Sequence, residues 1–414
     1  MTFVHCGSEE CTKSKLNLFQ IAPTQTRIEK SIYIEVLLLS AIILFYFYYY
    51  IIIDFFIAGN GIDYMNLNNM LLYLCCKIVK GDRTALAWDV AVGLVNYPMV
   101  SIFSLLDVML GDRFISQSNN CYPYGAFIEA VLNYSDDTLT MQFSAGLFFK
   151  DTPGQHKDTV LDGDNLGFVR RANLTVQSRA IELLGHLHSD LFFQEKLLLN
   201  GVDVKIKLTR SKDTFCLMGC KLHIISASLF VKKVRVAPCV RLRPAEALLT
   251  TNAKYPVDCL GMKVFSIPAG SRVSNQENLF LGQLPKMLVL GFMDNDAFSG
   301  SYAKNPFHFK HYNINFVVLY VDGEQIPTKP LQPDFEARRF VKEYMNLIQT
   351  AGKHMKDCML LIDRVEFAQG YTLFAFDPSP DQECANHYSL IKTGNLTVEI
   401  RFAKALMATV NMIM

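Results

Sequence analysis

The sequence predicts an all-β protein built as two similar sandwiches in tandem, and three observations carry that expectation. Several segments alternate apolar and polar residues with the period of two that half-buried strands show. Turn-forming dipeptides separate them along the whole chain. The second half also repeats the order of elements found in the first. Phe and Tyr number 30 and 18, a bias that, with Val and Ile, favours sheet.

Taken in order, the first 30 residues are polar and read as an N-terminal arm, too long before any apolar stretch for an ordinary signal peptide. Then comes "VLLLSAIILFYFYYYIII", residues 36–53, without a charge. Its length just reaches what a bilayer-crossing helix needs. Four tyrosines (46, 48, 49 and 50) near its middle suit strands at least as well, because mid-membrane hydroxyls lack partners. Two readings follow: strands of the first sandwich, or an apolar helix near the N-terminus that acts as a membrane span.

In "VDVKIKLTR", Val202, Val204, Ile206 and Leu208 point one way, and Lys205, Lys207 and Thr209 the other. "LTVEIRFAK" sets Val398, Ile400 and Phe402 against Glu399 and Arg401. "FVVLYVDGEQIP" runs into an Asp322-Gly323 turn that tolerates positive φ. Helix patterns are few and short: 124–135, 175–185, and "DFEARRFVKEYMNLIQTAG" with Asp334 as N-cap and Gly352 as its stop.

The repeat shows in three pairs. "DVMLGDRFIS" (107–116), a Pro-containing loop and "AFIEAVLNY" match "LYVDGEQIP" (319–327), a Pro-rich loop and "RRFVKEYMNLI", at offsets of about 211 and about 213. "NGVDVKIKL" matches "GNLTVEIRF" at about 194. Such a spacing is a domain duplication, far longer than a solenoid repeat. The expected division is an arm at 1–30, a first domain at 31–240, a linker at 241–256 and a second domain at 257–414.

Chemistry is sparse. Lys and Arg total 40 against 39 Asp and Glu, which argues against wholesale coating of nucleic acid. The 11 cysteines are odd in number and form no CxxC, so they read as reduced thiols in a nuclear or cytoplasmic setting. His186 and His188 ("GHLHSD"), His308 and His311, and Asp294 with Asp296 are each short of a metal-ligand set. There is no GxSxG, P-loop or HExxH, and no catalytic residue or cofactor is assigned. One charged feature is local: Lys205, Lys207, Arg210, Lys212, Lys221, Lys232, Lys233, Arg235, Arg241 and Arg243 meet a single acid, Asp213, between 205 and 243. It reads either as a solvated sheet face or as a basic surface for packaged DNA or an acidic partner.

Read through, 275–327, "GYTLFAFDPSPD" (370–381) and 394–406 resemble the major capsid protein of Polinton (Maverick) elements and adintoviruses. "LNLFQIAPTQTRIEK", "NNCYPYGAFIEAVLNY" and "LHSDLFFQEKLLLNGVDVKIKLTRSKDTFCLMG" carry the same likeness in the first half. The resemblance implies a double jelly roll, two eight-stranded sandwiches with short helices in the connecting loops. It further implies a structural protein that forms homotrimeric, pseudo-hexagonal capsomers of an icosahedral shell in the virion, meeting minor capsid proteins and DNA on the inside. Tyr122, Tyr124, Phe307 and Tyr312 are expected either as capsomer contacts or as core.

Two departures stand out. The run 36–53 replaces a mostly polar stretch, and the chain stops at "TVNMIM" within a strand pattern, where a truncated last strand is expected. Both suit a degraded, integrated copy. The alternative function is a single-pass membrane protein that uses 36–53 as its span, and a third is a jelly-roll enzyme or carbohydrate binder with a concave pocket.

Overall fold

A computed structural model describes residues 25–38, 52–88, 90–117, 119–354, 358–379 and 392–414. In the first half, one sheet runs β1 (Ile28–Leu37), β8 (Lys221–Val236), β3 (Asp63–Val79), β6 (Ile181–Gly185). The facing sheet runs β2 (Ile52–Ile57), β7 (Val204–Arg210), β4 (Phe103–Leu110), β5 (Arg113–Gln117). In the second half, one sheet runs β9 (Val264–Ile267), β17 (Val410–Ile413), β12 (Leu288–Asp294), β15 (Leu373–Phe376). Its partner runs β10 (Val273–Gln276), β16 (Thr393–Phe402), β13 (Ile314–Val321), β14 (Glu324–Leu331), with β11 (Leu281–Gln283) also on β16. Replacing each first-half strand by its counterpart reproduces the second half's order, to which β11 is added. Both are jelly rolls.

The matched sequence pairs fall on matched elements. The β4–β5 hairpin answers β13–β14, and β7 answers β16. Helix α1 (Tyr122–Asn133), between β5 and β6, answers α4 (Val341–Thr350), between their counterparts β14 and β15. Asp322 (φ 51°) and Gly323 (φ 88°) make the expected hairpin turn. Other short helices lie in connections: α2 (Leu166–Leu174), α3 (Pro238–Leu248) and α5 (Arg364–Ala368).

Period-two burial builds both cores. Val204, Ile206 and Leu208 are buried beneath outward Lys205 and Lys207, as Leu396, Val398, Ile400 and Phe402 are on β16. β17 differs, since Val410, Asn411, Met412 and Ile413 are all buried, one row in the sandwich and the other against the seam described below. It pairs with β12 on one side and β9 on the other.

Four expectations change. Residues 175–185 are not helical as a unit, for Ile181 and Leu183 face the core of a strand paired with β3. The helix expected from Asp334 starts at Val341; Asp334 instead accepts the Ala337 N–H and pairs with Arg339 in a turn. The apolar run is not a helix from end to end. Val36 and Leu37 belong to β1, Ile52 and Ile53 to β2, and residues 39–51 lie outside the described residues. Among the described residues no helix is long and apolar enough to cross a membrane. Residues Ile28–Lys30 of the stretch read as an arm are already strand, and 1–24 lie outside the described residues.

Candidate assembly surfaces

The connections after β3, β5 and β7 collect at one end of the first sandwich and those after β12, β14 and β16 at one end of the second, and these two ends meet in a seam, with the tight turns and the β6–β7 connection opposite. Its apolar part is aromatic. Phe127 of α1 stacks on Phe307 at 4.2 Å with planes 4° apart, and Tyr124 stacks on Phe298 and meets Phe307 edge-on. Phe309, near Phe127, lies over the outer face of the sheet holding β12; a Cβ on Gly291 would come within 2.9 Å of its ring. The outer row of that sheet, Leu373–Gly291–Ile413–Val264, thereby joins a cluster continuous with the first sandwich.

The polar part is buried and paired. Arg171 of α2, 1% exposed, donates to Asp151 at 2.6 Å and to the Leu94 carbonyl at 2.8 Å. The other Asp151 oxygen accepts from Asn305 of the second half at 2.8 Å, and its carbonyl accepts from the Tyr371 hydroxyl. Burial works to raise the Asp151 carboxyl, yet Arg171, His156 and the Asn305 hydrogen bond bring it below the ordinary carboxylate value. Lys150 bridges to Glu366 of α5 at 2.5 Å and to the Leu361 carbonyl. Lys353 reaches the Asn133 carbonyl at the end of α1. None of these partners could be paired from sequence, for they stand 20 to 220 positions apart.

Among the described residues, the corresponding outer face of the first sandwich is less covered, with Ser228 buried but large side chains around it exposed. Leu37–Ser228–Tyr73–Leu184 form one row and Glu35–Phe230–Leu71 the next. Leu37 is 69% exposed, Tyr33 57% and Leu184 38%, while Phe230, Leu71 and Tyr73 are half-buried. Across the molecule, α4 and its neighbourhood expose Val341, Met345, Met359 and Val365.

The sequence-selected residues divide. Tyr122, Tyr124 and Phe307 are buried within the chain, so the contact role gives way to core packing of the seam. Tyr312 is half-buried and donates to Asp294 at 2.6 Å. The basic residues do not form one stripe, because β7 and β8 run antiparallel in different sheets. Lys205, Lys232, Lys233, Arg235, Arg241 and Arg243 belong to the tight-turn end, Lys207 lies mid-strand, and Arg210, Lys212 and Lys221 belong to the opposite end. Several have partners: Lys205 with Asp112, Lys232 over the Tyr33 ring, and Arg235 with Asp63, whose carboxyl that hydrogen bond holds below its ordinary value. Arg210 is tied to Asp213 and the Leu222 carbonyl.

His188 is buried between Glu129 and the Tyr97 hydroxyl. Asp294 accepts from Lys310 and Tyr312, while Asp296 pairs with Lys304. Burial opposes ionisation of Asp294, but those two hydrogen bonds bring it down to about 2. Among the described residues no group of three or more His, Cys, Asp or Glu stands together as a metal site.

No protein-family model matches the chain. An uncharacterized protein of Caenorhabditis elegans is 23% identical over 370 residues, 85% of each chain. Among solved structures, the chain superposes on one from the Sputnik virophage with a TM-score of 0.62 at 11% identity, covering 98% of this chain and 89% of that one. It matches the PBCV-1 virus capsid at 0.58, with 11% identity and 95% of both chains. The fold is that of viral capsid double jelly rolls. The Faustovirus major capsid protein agrees at 0.54 and 8% identity, over 98% of this chain and 91% of that one. In this double jelly roll the likeness runs nearly end to end, so both sandwiches and the seam take part in it.

Proposed function

We propose that the chain is a structural major capsid protein, not an enzyme, whose copies assemble as trimers into pseudo-hexagonal capsomers. One observation carries the reading: the second sandwich has its outer sheet face packed into the seam with the first, while, among the described residues, the equivalent face of the first leaves Leu37, Tyr33 and Leu184 exposed. If the second sandwich of another copy covers that face as the seam covers its counterpart, the contact repeats around a ring. Two lobes per chain and a closed, heterologous ring of six similar lobes give three chains. The apolar side chains left exposed around α4 supply the other half of the contact.

The sequence resemblance supports a Polinton or adintovirus type of element, and a nematode-encoded relative fits a copy carried in an animal genome. The end with Lys205, Lys233, Arg235 and Arg241 is assigned to the shell interior, toward DNA or an acidic minor capsid protein. The working location is the virion.

Sedimentation of the full chain tests the reading. A species of three chains without detergent is expected, and Phe230→Glu with Leu184→Glu, on the bare face, should yield folded monomers. A wild-type chain that stays monomeric at tens of micromolar, by the same measurement, would overturn it.

A further inference from the structure

Two imidazoles face each other across the seam. His156, from the first half, stacks on His308, from the second, with ring centroids 4.3 Å apart and planes 5° apart. His156 is 1% exposed, and neither of its ring nitrogens has a hydrogen-bond partner among the described residues. Tyr371 flanks it at 5.1 Å. Gly370, at φ +124°, closes the remaining side, and a Cβ there would fall 2.4 Å from the His156 ring. The backbone clamps the pair: the Gly154 N–H donates to the Gln369 carbonyl and the Phe309 N–H to the Gly370 carbonyl.

We propose that this stacked pair is an acid-sensitive latch which holds the two sandwiches together when neutral and releases the seam when protonated. Two cations are strongly disfavoured at this distance where one ring is fully buried and the other half-buried. The carboxylates nearby pull the other way but are already engaged by cations and donors of their own. Asp151 is engaged by Arg171 and Asn305, Asp294 by Lys310 and Tyr312, and Glu366 by Lys150. The remaining groups around the pair are cationic or neutral. Lys150 and Lys157 come from the first half and Arg171 from α2. Lys310 comes from the strand-to-strand connection of the second half, as does His311, which stacks on Phe335.

Burial lowers His156 to about 4, against the pull of Asp151. Burial, with His156 and Lys310 beside it, lowers His308 to about 2. Once the seam opens, each ring regains an ordinary value near 6.5. The open form therefore binds more protons than the closed one below pH 6.5. Stability from the latch is complete above that pH and falls as the pH drops, about tenfold per unit for each ring.

Hydrogen exchange on the full chain, corrected at each pH for the intrinsic exchange rate, reads this directly. Between pH 6.5 and 4.5, protection in 147–157, 305–311 and 366–371 should fall about a hundredfold per pH unit, while β12 and β16 hold. His308→Phe should reduce the slope to about tenfold, and His156→Phe with His308→Phe should abolish it. An unchanged slope in His308→Phe, or an equal loss throughout both sandwiches, would overturn the latch. Should the double variant fail to fold, histidine NMR of the wild-type chain decides. Both rings are expected to stay neutral in the closed protein at pH 5.5, and titration of either near 6.5 would refute the proposal. The isolated chain suffices, so the outcome is independent of whether it forms capsomers.

Discussion

Arg171 and Asp151 show how much of the seam rests on single side chains. Both are nearly inaccessible, and each satisfies the other while also holding backbone. Arg171→Met would leave Asp151 buried without its cation, and a loss of about 3–5 kcal/mol is expected in denaturant unfolding. Asn305→Ala, which removes a neutral donor, should cost about 1–2 kcal/mol by the same measurement. Asp294 makes a prediction in pH. Its carboxyl lies below its unfolded value of 3.8, so its contribution is complete above that pH and is lost as the pH falls toward about 2. With allowance for partial solvent screening this amounts to about 1–2 kcal/mol. Asp294→Asn should flatten the corresponding part of the stability curve. At this scale the sequence said little. Asp294 was visible as a charged turn residue, but Lys310 and Tyr312 as its partners were not. Tyr124 and Phe307 could be read as contacts or as core, because nothing local marks which loops stack on which.

Among the elements, the hairpins and outward-alternating strands were legible because their signals are local. Asp322-Gly323 specifies its turn by backbone conformation, and β7 and β16 declare their buried faces by alternation alone. Residues 175–185 misled because a short apolar run fits either period, and it is pairing with β3 that decides. Asp334 misled because a capping residue serves a tight turn equally well. β17 had no alternation to read, both its faces being buried. Helix α1 is where the elements of the two halves lock. Phe127→Ala should lower stability by about 3–5 kcal/mol through the cavity it leaves. A double-mutant cycle with Phe307→Ala should return a coupling of about 0.5–1.5 kcal/mol for the stacked pair. Calorimetry should then resolve two transitions where the wild-type chain gives one, since the sandwiches would no longer melt together.

For the whole molecule, the duplication visible at an interval near 200 residues is what the strand orders repeat, and it could be read because hairpin, loop and helix recur in sequence order. Which faces are covered could not be read, since cover depends on loops that fold over a sheet far from their own position. That unequal covering gives the chain a direction. In the proposed ring one lobe presents a face already occupied and the other a face open among the described residues, so a neighbour would be added with one sense of rotation only. Two copies set head to head would meet open face to open face, leaving the apolar side chains around α4 in water. A chain built this way counts its turns in one hand, and a substitution in either lobe would recur at every second position around a ring instead of at each.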